Sequence, residues 1–355
     1  MHYYTSLSQL QQYRSNSGVS QSLLKEVLKG STKVFKPTLA MLYGSALDCF
    51  LTSPDLKQDL FQVGLKKRPS QAITDIINDV WVVAKESLES GTVVDMEDYK
   101  DSLVSAARVR EFGNNWKDDT LWAKIYEGKD YWEELCTAGE KSIITQDEWD
   151  KTEKLAALTC NHPLTAKYFM EIEGVDHYYQ YPLYWRMYDT ECKGLCDLIV
   201  VEHETKTIAL VDCKGTDMNR EMWMKQACKA KNYPIQLSFY IEGIRRDPVF
   251  MELISEGYSL CARWLVIPFN TFSFKPYLIP CPAELLAVGK FGYKEIRNVE
   301  IDTKKHNYFR KYKGWYQGLL LWNECTKRGL LDYDLEYVES GGKMSNEWVN
   351  QKFFE

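Results

Sequence analysis

The sequence contains no stretch approaching the ~18 uninterrupted apolar residues that a membrane-spanning helix needs, so no transmembrane segment is expected. Its opening, MHYYTSLSQLQQYRSNS, lacks a cationic start followed by an apolar run, which argues against secretion. It has no internal repeat, Pro-rich linker or low-complexity run, so its organisation must be read from periodicity. No cysteine pair has Cys-x-x-Cys spacing, although the chain holds 10 cysteines. In a chain of 355 residues, scattered thiols read as reduced cytoplasmic cysteines and not as a disulfide frame. Positive charge is not in excess either. With 44 basic against 50 acidic residues the formal net charge is −6, so a sequence-independent nucleic-acid coat is not expected, while a local basic groove stays open. What is present is ordinary globular material: 45% hydrophobic and 26% charged residues exclude wholesale disorder. The length suits two average domains or one large α/β domain with additions.

Residues 20–66 read as helical, with Leu23, Leu24, Val27 and Leu28 on one apolar face. Gly44 opens a second apolar segment, GSALDCFL, which stops at Ser53-Pro54-Asp55. From about 70 to 172 the pattern is helical and mostly acidic on its polar side. There Thr145 and Glu148, three residues apart, form a capping-box signature. The texture changes near 178. YYQYPLYWRMY, LCDLIVV and KTIALVDC are short aromatic and β-branched runs separated by turn-like residues, with HETK as a tight hairpin. Helices are expected near 218–231 and 234–245, a strand at ARWLVIPF, and a long helix at 304–329. The fold class is α/β (α+β), with a mixed central sheet flanked by helices and a helical N-terminal extension. It is not a doubly wound nucleotide-binding sheet.

Asp197, Asp212 and Lys214 lie within the hairpin. If the chain reverses at Glu204-Thr205, Asp197 stands directly opposite Asp212, with Cβ atoms ~4.5–5.5 Å apart. Alternation puts Asp212 and Lys214 on one side and Cys213 on the other. The rest of the hairpin is Leu198, Ile199, Val200, Ile208, Ala209, Leu210 and Val211, so burial is expected. Two close acids and a lysine there are costly unless they neutralise one another or share a hard, oxygen-ligated cation such as Mg²⁺. A salt-bridged hairpin end, with Lys214 neutralising one carboxylate, explains the spacing equally well. Downstream, Gln236 and Tyr240 stand one helical turn apart. They suit phosphate or sugar contacts, or a partly buried polar stripe packed on the sheet.

The run CKGLCDLIVV…IALVDCKGTD…NYPIQLSFY resembles the PD-(D/E)xK nuclease superfamily, and more closely its exonuclease VIII (RecE-type) branch, related to the lambda-type recombination exonucleases. That branch reads as a Cys-Lys-Gly-x-x-Asp strand, a second strand ending in Asp-x-Lys, then a helix with Tyr-x-x-Gln-x-x-x-Tyr. The segments VSQSLLKEVLKG…PTLAMLYGSALDCFLTSPD and ITQDEWDKTEKLAALTCNHPLTAKYF are similar to its N-terminal helices, and the resemblance spans roughly residues 15–330. Two positions depart from it. Asp48 holds the place of the branch's His, and Gln180 stands where a Glu often opens the first core strand. The Cys-x-x-Cys cluster of iron–sulphur members is absent, and Cys192 and Cys196 read as buried thiols.

The resemblance implies a metal-dependent nuclease that hydrolyses DNA phosphodiesters, specifically a double-strand exonuclease of the recombination type. The alternatives are an endonuclease of the same superfamily, in defence or genome processing, or a catalytically silent nucleic-acid-binding scaffold. It implies a helical region 1–172 contributing to the active-site cleft, a nuclease core at 173–330 and a tail at 331–355, within one compact domain. Mg²⁺ or Mn²⁺ would be held by Asp197, Asp212 and the Cys213 backbone carbonyl, with Asp48 as a supplementary ligand. Lys214 would act on the attacking water, while Gln236, Tyr240 and Tyr233 would hold substrate. The partners implied are DNA, a single-strand annealing protein and further copies of the chain in a ring. The setting implied is the cytoplasm of a bacterial or phage-infected cell, without membrane attachment. Basic groups that could draw DNA are Lys225, Lys229 and Lys231, and a helix bearing Lys304, Lys305, His306, Arg310, Lys311 and Lys313. Both read equally as solvated helix faces.

Overall fold

The computed structural model describes residues 1–28, 38–87, 93–301 and 304–328; the expected tail at 331–355 lies outside them. The chain divides into two compact units, Met1–Lys36 with Thr159–Glu355, and Pro37–Leu158. The residues near the start thus belong with the unit that holds the sheet. In chain order the strands are β1 (His2–Tyr4), β2 (Phe61–Leu65), β3 (Ser142–Thr145), β4 (Val175–Met187), β5 (Thr190–Glu202), β6 (Thr207–Thr216), β7 (Ser259–Pro268), β8 (Tyr277–Cys281), β9 (Tyr293–Ile301) and β10 (Lys304–Tyr312).

The larger unit is built on a mixed six-stranded sheet in the order β1-β4-β5-β6-β7-β8. β4, β5 and β6 form an antiparallel meander. The β5–β6 register, Leu198↔Val211 to Glu202↔Thr207, puts the reversal at Glu204-Thr205 as expected. β7 then lies parallel to β6, reached through three helices, Arg220–Lys229, Tyr233–Ile244 and Pro248–Ser255. The third escaped the sequence reading, although Asp247 caps it and Pro248 sits in its first turn. Leu198–Val201, Ile208–Val211 and Trp264–Ile267 are buried without interruption. Such continuous apolar runs belong to strands covered on both faces, each large side chain contributing ~1.5–3 kcal/mol of burial. One face packs on the helix Tyr233–Ile244 through Leu183, Trp185, Ile199, Leu210, Ile235 and Phe239. At the sheet edge β1 adds to β4 in parallel, with Tyr3 stacked on Tyr178 at 4.5 Å and Tyr4 on Tyr179 at 4.7 Å.

The smaller unit is mainly helical around a core of Ile73, Ile76, Ile77, Leu103, Leu121, Ile125 and Trp132. The expected stop at Ser53 holds, since the helix Leu39–Thr52 ends there. Two strands, β2 and β3, pair in parallel where helix was expected. The capping box is present: the Glu148 N–H donates to Thr145 Oγ1 at 3.1 Å, and the Thr145 N–H donates to Glu148 Oε2 at 2.9 Å.

A second correction concerns 304–329. Residues 304–312 are strand β10, antiparallel to β9 from Lys304↔Ile301 to Tyr312↔Tyr293, and only Trp315–Arg328 is helical. The basic residues mimic a helical stripe by spacing, but a neighbouring strand supplies the backbone hydrogen bonds that decide the matter. Among the described residues no helix is long and apolar enough to cross a membrane.

One irregularity reaches the middle of the sheet. Gln180 has φ of +48°, a left-handed conformation in the midst of β4. The flanking pairs Tyr179↔Leu198 and Tyr181↔Cys196 place it across from Asp197. The pleat slips there: Tyr178 and Tyr181, an odd number of residues apart, pack on the same apolar cluster, as do Cys196 and Ile199 opposite. A left-handed non-glycine residue costs ~1–2 kcal/mol. Gln180→Gly should therefore be tolerated or stabilising by up to about 1 kcal/mol, and Gln180→Ile should destabilise by about 1–3 kcal/mol. Chemical denaturation with an unchanged slope would check both, and an Ile variant as stable as the parent would refute the strain.

Candidate functional site

The second half of β6 carries the polar residues. Val211, Asp212 and Cys213 are all buried, with Asp212 at 1% exposure opposite Trp264 in the ladder with β7. An ionised carboxylate cannot remain there without partners. Lys214 supplies one: its Nζ donates to Asp212 Oδ1 at 2.8 Å and to the Cys213 carbonyl at 3.1 Å. The two side chains thus share a face, as alternation required. Asp197 lies just past the last β5–β6 pair, and its Oδ2 accepts the Cys213 N–H at 2.8 Å. The slip opposite Gln180 takes this residue out of the regular ladder.

The charge balance is incomplete. Among the described residues, Lys214 is the cation beside the two carboxylates, and the buried Asp212 Oδ2 has no hydrogen-bond partner. Burial raises the Asp197 carboxyl to about 7; Lys214 and the Cys213 N–H pull it down, and the Asp212 charge pushes it up. An orphaned buried carboxylate oxygen, a second acid and a backbone carbonyl form an all-oxygen donor set of the kind hard divalent cations take. The residues therefore fit Mg²⁺ or Mn²⁺. Lys214 now serves two of the oxygens that such a cation would use. Among the described residues, no group of three or more His, Cys, Asp or Glu side chains is gathered for a metal.

The helix Tyr233–Ile244 faces this end of the sheet. Asn232, left-handed at φ +48°, turns the chain into it, and Pro234 sits in its first turn. The Tyr233 ring centroid lies 5.5 Å from Lys214 Nζ. Tyr240 is buried, and its hydroxyl is pushed well up, first by burial and then by Tyr13, Cys196, Asp197 and Asp212. Its ring lies against Gly194, where an added Cβ would come within 2.9 Å of it, so glycine is required for that approach. Gln236 is half-buried one turn before Tyr240. Cys192 and Cys196 are buried free thiols, that of Cys192 pushed up to about 12 by burial.

The structure thus brings together Asp197, Asp212, Cys213, Lys214, Tyr233 and Tyr240. Asp48 belongs to the other unit. It lies half-buried on the helix Leu39–Thr52, and its carbonyl accepts the Thr52 hydroxyl at 2.5 Å. Lys225 pairs with Glu221 at 2.9 Å as a solvated helix-face bridge, while the side chains of Lys229 and of β10 residues 304–311 lie outside the described ones. Sequence reading underrated Gln180, whose only signal was its place in the resemblance. It missed Gly194, although the Cys-Lys-Gly run contains it.

A group whose folded pKa is raised favours the fold while protonated, and that contribution fades as pH rises from its unfolded value of 3.8 to about 7. In EDTA, the protein should lose stability across about pH 4 to 7, and Asp197→Asn should flatten that part of the profile. Added Mg²⁺ should stabilise the parent more at pH 8 than at pH 5. Thermal melts read both effects; a parent and an Asn variant with superimposable pH profiles would contradict the assignment.

No family model matches the chain, and no curated protein matches it. Among solved structures it is similar to a "Putative exonuclease" from Eubacterium rectale, at 10% identity over 96% of this chain and 88% of that one, with a TM-score of 0.39. A likeness this faint carries no argument about fold or activity, and the chemistry must rest on the site itself.

Proposed function

We propose that this chain is a metal-dependent nuclease that hydrolyses DNA phosphodiester bonds, with a core of the PD-(D/E)xK kind and double-strand exonuclease activity of the recombination type. The observation that carries the reading is the acid pair, in which the buried Asp212 Oδ2 has no hydrogen-bond partner among the described residues beside Lys214. Asp197, Asp212 and the Cys213 carbonyl would hold Mg²⁺ or Mn²⁺. The bound cation supplies a water of lowered pKa and offsets the charge that develops on the phosphate oxygens.

Lys214, already within 2.8 Å of Asp212, would orient the attacking water and donate to a phosphate oxygen. Its side chain is 17% exposed, which would leave part of it open to substrate. Tyr233 and Gln236, both half-buried on one helix, would hold the backbone, and Tyr240 would fix the wall behind the acids. A second reading, a catalytically silent scaffold, draws support from the same 2.8 Å pair, since Lys214 neutralises Asp212 without a metal.

End-labelled linear duplex and closed circular DNA, each incubated with Mg²⁺, separate these possibilities. The proposal expects loss of the linear substrate and survival of the circle. Cutting of the circle would indicate an endonuclease, and survival of both would favour the scaffold. Asp212→Asn and Lys214→Ala should each lower cleavage at least about 100-fold while the protein stays folded. Gln236→Ala should lower it through substrate affinity and leave calorimetric Mg²⁺ affinity within about threefold of the parent. Parent-level cleavage by folded Asp212→Asn would sink the assignment.

A further inference from the structure

Three ammonium groups converge on a single ring beside the acid pair. The centroid of Tyr233 lies 5.5 Å from the Nζ of Lys214, 5.6 Å from that of Lys25 and 5.7 Å from that of Lys231. The lysines come from three separate places: strand β6, the helix Gln21–Val27, and the turn leading into the helix Tyr233–Ile244. Their meeting therefore requires tertiary packing and is not a stripe along one helix. Lys25 Nζ also donates to the Lys231 carbonyl at 3.3 Å, which ties the helix Gln21–Val27 to that turn. Trp223 packs its ring 6.0 Å from Tyr233 and backs the phenol.

A cation over a half-buried tyrosine such as Tyr233 gains only about 1 kcal/mol. Lys214 is already paired with Asp212 at 2.8 Å, repulsion among neighbouring ammonium groups works against that gain, and an anion placed beside Lys25 and Lys231 turns the balance favourable. Ammonium groups are compact donors that suit phosphate oxygens. The first turn of the 12-residue helix Tyr233–Ile244 adds its partial positive charge in the same place. Lys214 belongs to both this cluster and the acid pair, so an anion held here lies beside the atoms proposed to cleave.

We propose that Lys25, Lys231 and Tyr233, sharing Lys214 with the acid pair, form a second phosphate site that holds a flanking phosphate of the nucleic-acid backbone. The inference rests on the nuclease reading for the identity of its ligand, and its test does not depend on cleavage. The probe is a fluorescently labelled DNA duplex titrated in EDTA at several salt concentrations and followed by anisotropy. Lys25→Gln and Lys231→Gln should each weaken binding several-fold, and the double variant should weaken it about tenfold or more. The slope of log affinity against log salt should fall by about 1 for each lysine removed.

In steady-state cleavage the double variant should raise KM and leave kcat close to the parent's. A parent that does not bind the duplex, or a folded double variant that keeps the parent's affinity and slope, overturns the proposal. An equal loss from Lys225→Gln, whose ammonium lies in a surface bridge to Glu221, would reduce the effect to bulk charge and overturn it as well. A parent that shows the lysine-dependent binding yet never cleaves in Mg²⁺ would refute the nuclease reading and leave the phosphate site standing.

Discussion

Burial of Asp212 is the constraint to which the surrounding structure answers. A carboxylate at 1% exposure in a strand flanked by Val211 and Cys213 is tolerable only because Lys214 reaches back to it at 2.8 Å. Breaking such a pair by removing one partner typically costs ~3–5 kcal/mol, because a charge is left without compensation. That cost explains why Lys214 stands two residues away on the same face. Asp197, half-buried beside it, accepts the Cys213 N–H at 2.8 Å.

The sheet makes this possible by being apolar almost everywhere else. Uninterrupted burial of Leu198–Val201, Ile208–Val211 and Trp264–Ile267 supplies the stability from which one unfavourable polar cluster can be subtracted. The parallel pairing of β6 with β7 extends two residues beyond Lys214, to Thr216 opposite Pro268. The lysine therefore stands on a rigid element, not on a loop. Across the meander, the left-handed Gln180 opens the ladder where Asp197 needs room, and Gly194 clears the space that Tyr240 fills.

Much of this was legible in the residues. A turn at Glu204-Thr205 and strict alternation are enough to put Asp197 across from Asp212 and Lys214 beside it, because strand geometry has a fixed period and hairpins a fixed register. The Thr145–Glu148 cap was equally local, and equally visible. The pleat slip was not legible, since glutamine carries no preference for positive φ and only the opposing strand forces it. Strand β10 was misread because Lys304, Lys305, His306, Arg310 and Lys311 repeat at spacings that suit a helix, while the partner that makes them a strand lies in a different stretch of chain. The convergence of Lys25 and Lys231 on Tyr233 lies beyond any sequence reading, as the two lysines are 206 residues apart.

The bond from the Cys213 N–H to Asp197 has a spectroscopic meaning as well. In a sheet, nearly every amide proton reports on a neighbouring backbone carbonyl, and so on strand pairing. This one, at 2.8 Å from Asp197 Oδ2, reports on a carboxyl group. Its resonance frequency and exchange rate carry information about whether that oxygen bears charge, and they do so from a buried residue of the central sheet. A single backbone proton thus provides an observer of the acid pair that needs neither substrate nor label.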